Sequence, residues 1–138
     1  MLSNVAKRTV VTFISCIATG AVFAHHSAQV YFDSQKLMTI ENAVVVSLVL
    51  VNPHSQLIFT VTSATGETVE WKAETGSQNA LRRKGINRDL VQAGDVVTVI
   101  GNPSRSGKPY LRMRQLILPN GDSVNFYGGG PAITPAES

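Results

Sequence analysis

The chain has one cysteine and no apolar segment long enough to span a membrane. Because Cys16 has no second cysteine to pair with, an intramolecular disulfide and a site built from several thiolates are excluded. The apolar run at residues 10–23 is shorter than the roughly 20 residues that a spanning helix needs, and polar residues interrupt it. A lipoprotein cleavage site at Cys16 is an alternative role for this run. However, the residues after Cys16 stay apolar where a lipoprotein turns polar.

Residues 1–24 have the pattern of a cleavable secretory signal peptide. The basic pair Lys7 and Arg8 precedes the apolar run, and small residues, Val22 and Ala24, occupy the positions three and one before the expected cleavage site. We therefore expect cleavage after Ala24, which would make His25 the first residue of the mature chain. The expected location is the periplasm or the outside of the cell, with no membrane insertion after processing.

The expected mature chain has almost no excess charge. Removing the leader takes away two of the twelve basic residues, which leaves ten Lys and Arg against nine Asp and Glu. Such a balance gives no electrostatic support for binding nucleic acid. The sequence also lacks a base-activated serine motif, a carboxylate pair at catalytic spacing and a phosphate-binding loop. We therefore expect a binding protein rather than an enzyme.

Residues 25–127 contain five segments with the residue pattern of β-strands. These segments are residues 40–51, 56–62, 69–74, 96–100 and 110–118. The first is almost continuously apolar and β-branched, which predicts a long, well-buried strand. In the second, Leu57, Phe59 and Val61 alternate with more polar residues and form the predicted core face.

A short helix is predicted between the third and fourth strands. Ser77 is a suitable N-cap, and Gly85 follows the last helical turn. The order of three strands, a helix and two strands predicts an all-β fold with little helix, a five-stranded barrel of the oligonucleotide/oligosaccharide-binding (OB) type. A β-meander with a helix at one end would give the same order. Residues 128–138, rich in glycine, proline and small residues, are predicted to be a disordered tail.

The three histidines of the chain lie in two short motifs. His25 and His26 stand at the expected mature N-terminus, and His54 follows Pro53 in the turn after the first strand. An N-terminal histidine offers its free α-amine and its imidazole Nδ1 to one metal ion, and a second imidazole can complete a three-nitrogen site. Nitrogen-rich planar coordination suits Cu(II), whereas zinc more often takes a tetrahedral site. His25, His26 and His54 are therefore the candidate metal ligands.

Each histidine motif also has an interpretation without a metal. His25 and His26 could be a solvated N-terminus without function, and His54 could be a turn histidine that bonds to nearby backbone. Counting along the second strand places His54 off the core face, so its ring should be accessible. The segment that links the two motifs is long enough for them to meet if it is extended, since each residue spans up to ~3.5 Å.

Aromatic and acidic side chains of the second and third strands are predicted to be structural. Trp71 and Phe59 fall on core faces, which favours a core role over a ligand platform that would also include Tyr31 and Phe32. Glu70 and Glu74 share a face with a lysine between them, which is typical of a solvated strand surface.

Basic side chains cluster in two places. The triplet at residues 82–84 is typical of cations solvated at the negative end of a helix dipole. A later hairpin carries Arg105, Lys108, Arg112 and Arg114, which could bind an anionic sugar or a phosphate. The alternation of its arginines with apolar residues favours the solvated face of an edge strand instead.

The chain resembles a family of uncharacterised exported bacterial proteins, domain of unknown function family 6152. The resemblance rests on an Ala-His-His-Ser start, an Asn-Pro-His turn, a Trp-x-x-Glu strand, a Leu-x-x-x-Gly helix end and a Gly-Asp-x-Val-x-Val strand. These elements are residues 24–27, 52–54, 71–74, 81–85 and 94–99. The resemblance implies an exported OB-like fold and no particular activity.

Together these features predict a periplasmic binding protein without enzymatic activity. Its expected ligand is Cu(II), bound by the amine and ring of His25 and by His54, with His26 as a further or alternative ligand. The alternative is an accessory module of a periplasmic complex, or a module for a small organic ligand, that contains no metal.

Overall fold

The computed structural model describes residues 30–137, which form an all-β fold with a closed five-stranded barrel. The predicted leader and the motif of His25 and His26 lie outside the described residues. The strands are β1 (Met38–Val49), β2 (Gln56–Thr62), β3 (Thr68–Glu74), β4 (Val96–Pro103), β5 (Tyr110–Ile117), β6 (Ser123–Asn125) and β7 (Ile133–Thr134). A short helix, α1 (Gln78–Arg83), and a 3-10 turn (Arg88–Leu90) connect β3 to β4.

The strand pairing confirms the predicted OB-like barrel. β1 lies between β2 and β4, and β3 pairs with β2. β5 pairs antiparallel with β4 and parallel with the end of β3, which closes the barrel. In a β-meander with a helix at one end, β3 and β5 would not pair with each other. Among the described residues, no helix is long and apolar enough to cross a membrane.

The core lies inside the barrel and under α1. Leu57 and Phe59 of β2 are fully buried, as predicted. Trp71 is partly buried and stacks on Phe59 across β2 and β3, with ring centroids 6.4 Å apart. Leu81 of α1 and the following Ile86 are also buried, so the helix closes one end of the barrel.

The helix boundaries follow the predicted signals. Ser77 is the N-cap, and its side chain accepts a hydrogen bond from the backbone N–H of Ala80 at 3.2 Å. Gly85 follows the helix at φ +79°, a conformation in which a residue with Cβ is disfavoured.

The prediction that β1 is buried along its length is wrong. Ala43 and Val45 face the core, whereas Val44, Val46 and Val49 are exposed. In a single-layer barrel only one face of each strand meets the core, so a β-branched run alternates between core and solvent despite its apolar composition. Two register shifts, between Ile40 and Ala43 and between Val45 and Ser47, interrupt the pairing of this strand.

The alternation of arginines with apolar residues predicts that β5 is an edge strand, and this prediction is wrong. Three other strands, β3, β4 and β6, pair with it. Gly101 of β4 allows the close approach of β5, because a Cβ at this position would lie 2.3 Å from the backbone oxygen of Arg112.

Two terminal segments pack against the barrel. Phe32 is buried and forms an isolated β-bridge with Ser104. At the other end, Ile133–Thr134 form β7 against β6, and Ala132 is buried. Residues 132–134 therefore differ from the disordered tail that the composition of residues 128–138 predicts, because their backbone bonds to β6.

Candidate functional site

Two loops flank the segment from Lys72 to Glu74 at the end of β3. The register of β2 and β3 pairs Gln56 with Glu74, which brings the β1–β2 loop (residues 50–55) to this point. The parallel register of β3 and β5 pairs Lys72 with Tyr110, so the β4–β5 loop (residues 104–109) ends beside Lys72, two residues before Glu74. These two loops are the ones with which OB barrels commonly bind ligands.

The β1–β2 turn is held by hydrogen bonds from a buried serine. The backbone N–H of Ser55 donates to the Gly76 carbonyl at 2.9 Å, and its hydroxyl bonds with the backbone of Val51. The Asn52–Pro53 peptide bond in this turn is cis. This network positions the side chain of the preceding residue, His54, at the end of the barrel.

His54 lies against the carboxylate of Glu74. Its Nδ1 is 3.3 Å from Oε1 of Glu74, while 57% of its side chain remains exposed. Since an ionised carboxylate only accepts hydrogen bonds, this contact favours the tautomer with the proton on Nδ1. In that tautomer Nε2 carries the free lone pair, and within residues 30–137 no side chain or backbone group bonds to it.

Glu74 is in turn held by Tyr110. The hydroxyl of Tyr110 donates a hydrogen bond to Oε2 of Glu74, so the two carboxylate oxygens have different partners. Burial raises the pKa of Tyr110 well above its usual range, and the hydrogen bond and the charge of Glu74 raise it further. Tyr110 therefore stays protonated and remains a donor at any physiological pH.

Phe32 connects the N-terminal segment to this site. Its ring packs at 5.1 Å from the ring of Tyr110. The backbone N–H of Asp33 donates to the Pro103 carbonyl, and the N–H of Arg105 donates to the Tyr31 carbonyl, each at 2.9 Å. The chain that follows the His25 and His26 motif thus runs beside the β4–β5 loop.

The structure confirms one sequence expectation for this site and corrects another. His54 is accessible, as the strand pattern predicts, but its observed partner is a carboxylate rather than backbone. Glu74 is not the solvated strand residue that its alternation with Lys72 indicates, since only 20% of its side chain is exposed. Tyr110 was not identified from the sequence at all.

The described residues alone do not hold a complete metal site. No group of three or more His, Cys, Asp or Glu residues capable of binding a metal occurs between residues 30 and 137. His54 is therefore a single exposed ligand with one carboxylate behind it. His25 and His26, the other predicted ligands, lie outside the described residues, so their convergence with His54 stays a prediction.

Comparison with known proteins supports the resemblance noted from the motifs. A family model described as a family of unknown function, DUF6152, matches residues 13–111. This range includes the three histidines, Glu74 and Tyr110. No curated protein and no solved structure gives a significant match. The chain belongs to the DUF6152 family.

Proposed function

We propose that the protein is an exported binding protein, without enzymatic activity, that holds Cu(II) beside the β1–β2 turn. His54 would supply one imidazole nitrogen, and the mature N-terminal His25 would supply its amine and its ring nitrogen. His26 is a further or alternative ligand. The observation that carries the proposal is the hydrogen-bonded series of His54, Glu74 and Tyr110.

A carboxylate behind a histidine is a common arrangement at metal sites. The carboxylate accepts the N–H of one ring nitrogen, fixes the tautomer and raises the basicity of the nitrogen that binds the metal. Glu74 is placed to accept the N–H of His54 and so to fix its tautomer, and Tyr110 fixes Glu74 in turn. The exposure of His54 leaves its Nε2 accessible to an ion that approaches from solvent.

The position of Phe32 supports the participation of the N-terminal histidines. His26 precedes Val30, the first described residue, by four residues, which can span up to about 14 Å when extended. Phe32 contacts Tyr110, which bonds to Glu74, which contacts His54. The chain that carries His25 and His26 therefore continues into a residue that packs against this series, which supports their participation.

The donor set favours copper among divalent metals. It would consist of an amine and two or three imidazoles, with no thiolate and no obligatory carboxylate. Such nitrogen donors favour Cu(II) in a planar arrangement, and Cu(II) has the highest affinity in the usual order for divalent ions.

Copper titration of the mature protein tests the proposal. Mass spectrometry first determines whether the exported chain begins at His25, as expected. The visible and electron paramagnetic resonance spectra of its Cu(II) complex are then compared with those of His54→Ala. We expect His54→Ala to weaken binding and to change the spectrum. An unchanged affinity and spectrum would remove His54 from the site.

A chain that begins at Val22 is the matched control for the N-terminal ligands, because a start at Ala24 or Phe23 would place a histidine third and create a new Cu(II) site. It keeps all three histidines but converts the amine of His25 to an amide, so we expect it to lose the three-nitrogen spectrum. If it binds Cu(II) as the mature chain does, the amine of His25 is not a ligand.

A metal-free binding module is the second candidate function. It is favoured by the position of His54 and Tyr110 at the two loops that OB barrels use for ligands. A mature protein that binds no Cu(II) above the level of the His54→Ala variant would leave this candidate as the better explanation.

A further inference from the structure

Two arginines share one aromatic ring on the outer face of β5. The guanidinium carbons of Arg112 and Arg114 lie 4.8 and 5.0 Å from the ring centroid of Tyr127. Both distances are within the range of a cation–π interaction. The two side chains are partly buried, and their neighbours Leu111 and Met113 point into the core. Because both guanidinium carbons lie within 5.0 Å of one ring centroid, the two positive charges are at most about 10 Å apart.

Hydrogen bonds fix the orientation of both guanidinium groups. Nε of Arg112 donates to the hydroxyl of Tyr127 at 3.2 Å, and Nε of Arg114 donates to Oδ1 of Asn102 at 2.6 Å. Asn102 is only 4% exposed, and its Nδ2 donates to the Lys36 carbonyl. In both arginines the inner nitrogen is occupied, which leaves the terminal nitrogens as the available donors.

Neither arginine has an acidic partner among residues 30–137. No carboxylate of this part of the chain lies within 4.0 Å of their nitrogens. Glu74 pairs in register with Arg112 across β3 and β5, but its carboxylate is engaged by His54 and Tyr110. A third cation lies nearby, since Nζ of Lys84 donates to the carbonyl of Gly128, the residue after Tyr127.

We propose that Arg112 and Arg114 form a binding site for the oxyanion group of a small ligand, a carboxylate, sulfate or phosphate. Two pre-oriented guanidinium groups with free terminal N–H donors match the geometry of such groups, which accept paired hydrogen bonds. A bound oxyanion would also compensate the repulsion between the two charges. This site needs neither a metal nor the histidines, and it is independent of the proposed copper function.

Nuclear magnetic resonance of the arginine side chains tests this site. The metal-free mature protein, labelled with ¹⁵N, is titrated with inorganic phosphate, and in parallel with sulfate and acetate, at constant low ionic strength. We expect saturable shifts of the Nε–Hε signals of Arg112 and Arg114. Comparison of the three anions distinguishes a tetrahedral from a planar preference. Signals that do not saturate with any of the three would overturn the proposal.

Variants separate a specific site from general charge. Arg114→Gln should weaken binding about ten- to a hundredfold, because it removes charged hydrogen bonds. Arg112→Lys keeps the charge and loses the planar fork, so it should also weaken binding and serves if Arg114→Gln fails to fold. Arg88→Gln removes an equal charge from an exposed residue of the 3-10 turn. Equal weakening by Arg88→Gln would contradict the proposal.

Discussion

Glu74 contacts His54 through one carboxylate oxygen, Oε1, and this leaves Oε2 to accept the hydroxyl of Tyr110. The carboxylate therefore stands between an exposed imidazole and a partly buried phenol. This relationship requires the ends of β2, β3 and β5 to meet, which only closure of the barrel brings about.

Glu74→Gln should lower the affinity for Cu(II) by about 10–100-fold, the usual effect of removing a carboxylate behind a metal-binding histidine. Glutamine keeps the size of the side chain but loses its charge, and its amide can turn a donor towards Nδ1. Isothermal titration of the mature protein measures the change. Glu70→Gln is the matched control, because Glu70 is exposed on the same strand. Equal affinities of the wild type and Glu74→Gln would exclude this role of Glu74.

Tyr110 should ionise only at a pH well above the usual range for tyrosine. Its pKa is raised by burial first and then by the hydrogen bond and charge of Glu74. A group whose pKa is higher in the folded state stabilises the fold below its unfolded pKa, about 10 for tyrosine, and this stabilisation falls as pH rises further. Urea unfolding should therefore show a loss of stability above about pH 10.

Tyr110→Phe provides the comparison for this pH dependence. It removes the ionising hydroxyl, so the corresponding part of the alkaline decline should disappear. Tyr31→Phe is the control, since Tyr31 is 66% exposed. An identical alkaline decline in the wild type and in Tyr110→Phe would show that another group is responsible.

Phe59→Ala should destabilise the protein by about 3–5 kcal/mol, the usual cost of removing a fully buried aromatic ring. Phe59 is inaccessible and stacks on Trp71, so the cavity would lie in the centre of the barrel. Val46→Ala on β1 is the control and should change stability by less than about 0.5 kcal/mol, because Val46 is 43% exposed. Denaturant unfolding measures both, and similar losses would contradict the alternation found in β1.

Gly101→Ala should cost about 1–3 kcal/mol, or more, by overpacking. The new Cβ would meet the backbone oxygen of Arg112, and backbone cannot move aside as a flexible side chain can. Gly76→Ala is the matched control, because the nearest atoms to its added Cβ lie at ordinary contact distance, 3.8 Å. Thermal unfolding of the two variants should therefore differ clearly. A Gly101→Ala protein as stable as Gly76→Ala would disprove the close contact.

The sequence predicted those parts of the fold that depend on local patterns. The order of strands and helix, the cap at Ser77 and the core face of Leu57 and Phe59 all follow from spacing within one segment. The exposed face of β1 could not be recognised, because its outward residues are valines that are typical of a buried strand.

The candidate site was predictable only in part. His54 was identified because histidine is rare in this chain and Pro53 precedes it. Glu74 and Tyr110 were missed because their roles depend on contacts across 20 and 36 positions of the chain. The partial burial of Arg112 and Arg114 was missed for the same reason, since the residue that covers them, Tyr127, follows β6.

The buried amide of Asn102 cannot rotate by half a turn without losing both of its partners. Its nitrogen faces a carbonyl of the N-terminal segment, and its oxygen faces the guanidinium of Arg114. An aspartate there would satisfy Arg114 more strongly but would repel the Lys36 carbonyl. Exchanging the amide nitrogen for oxygen would thus strengthen the contact with Arg114 and release Lys36, so the two different ends of one amide link the N-terminal segment to β5.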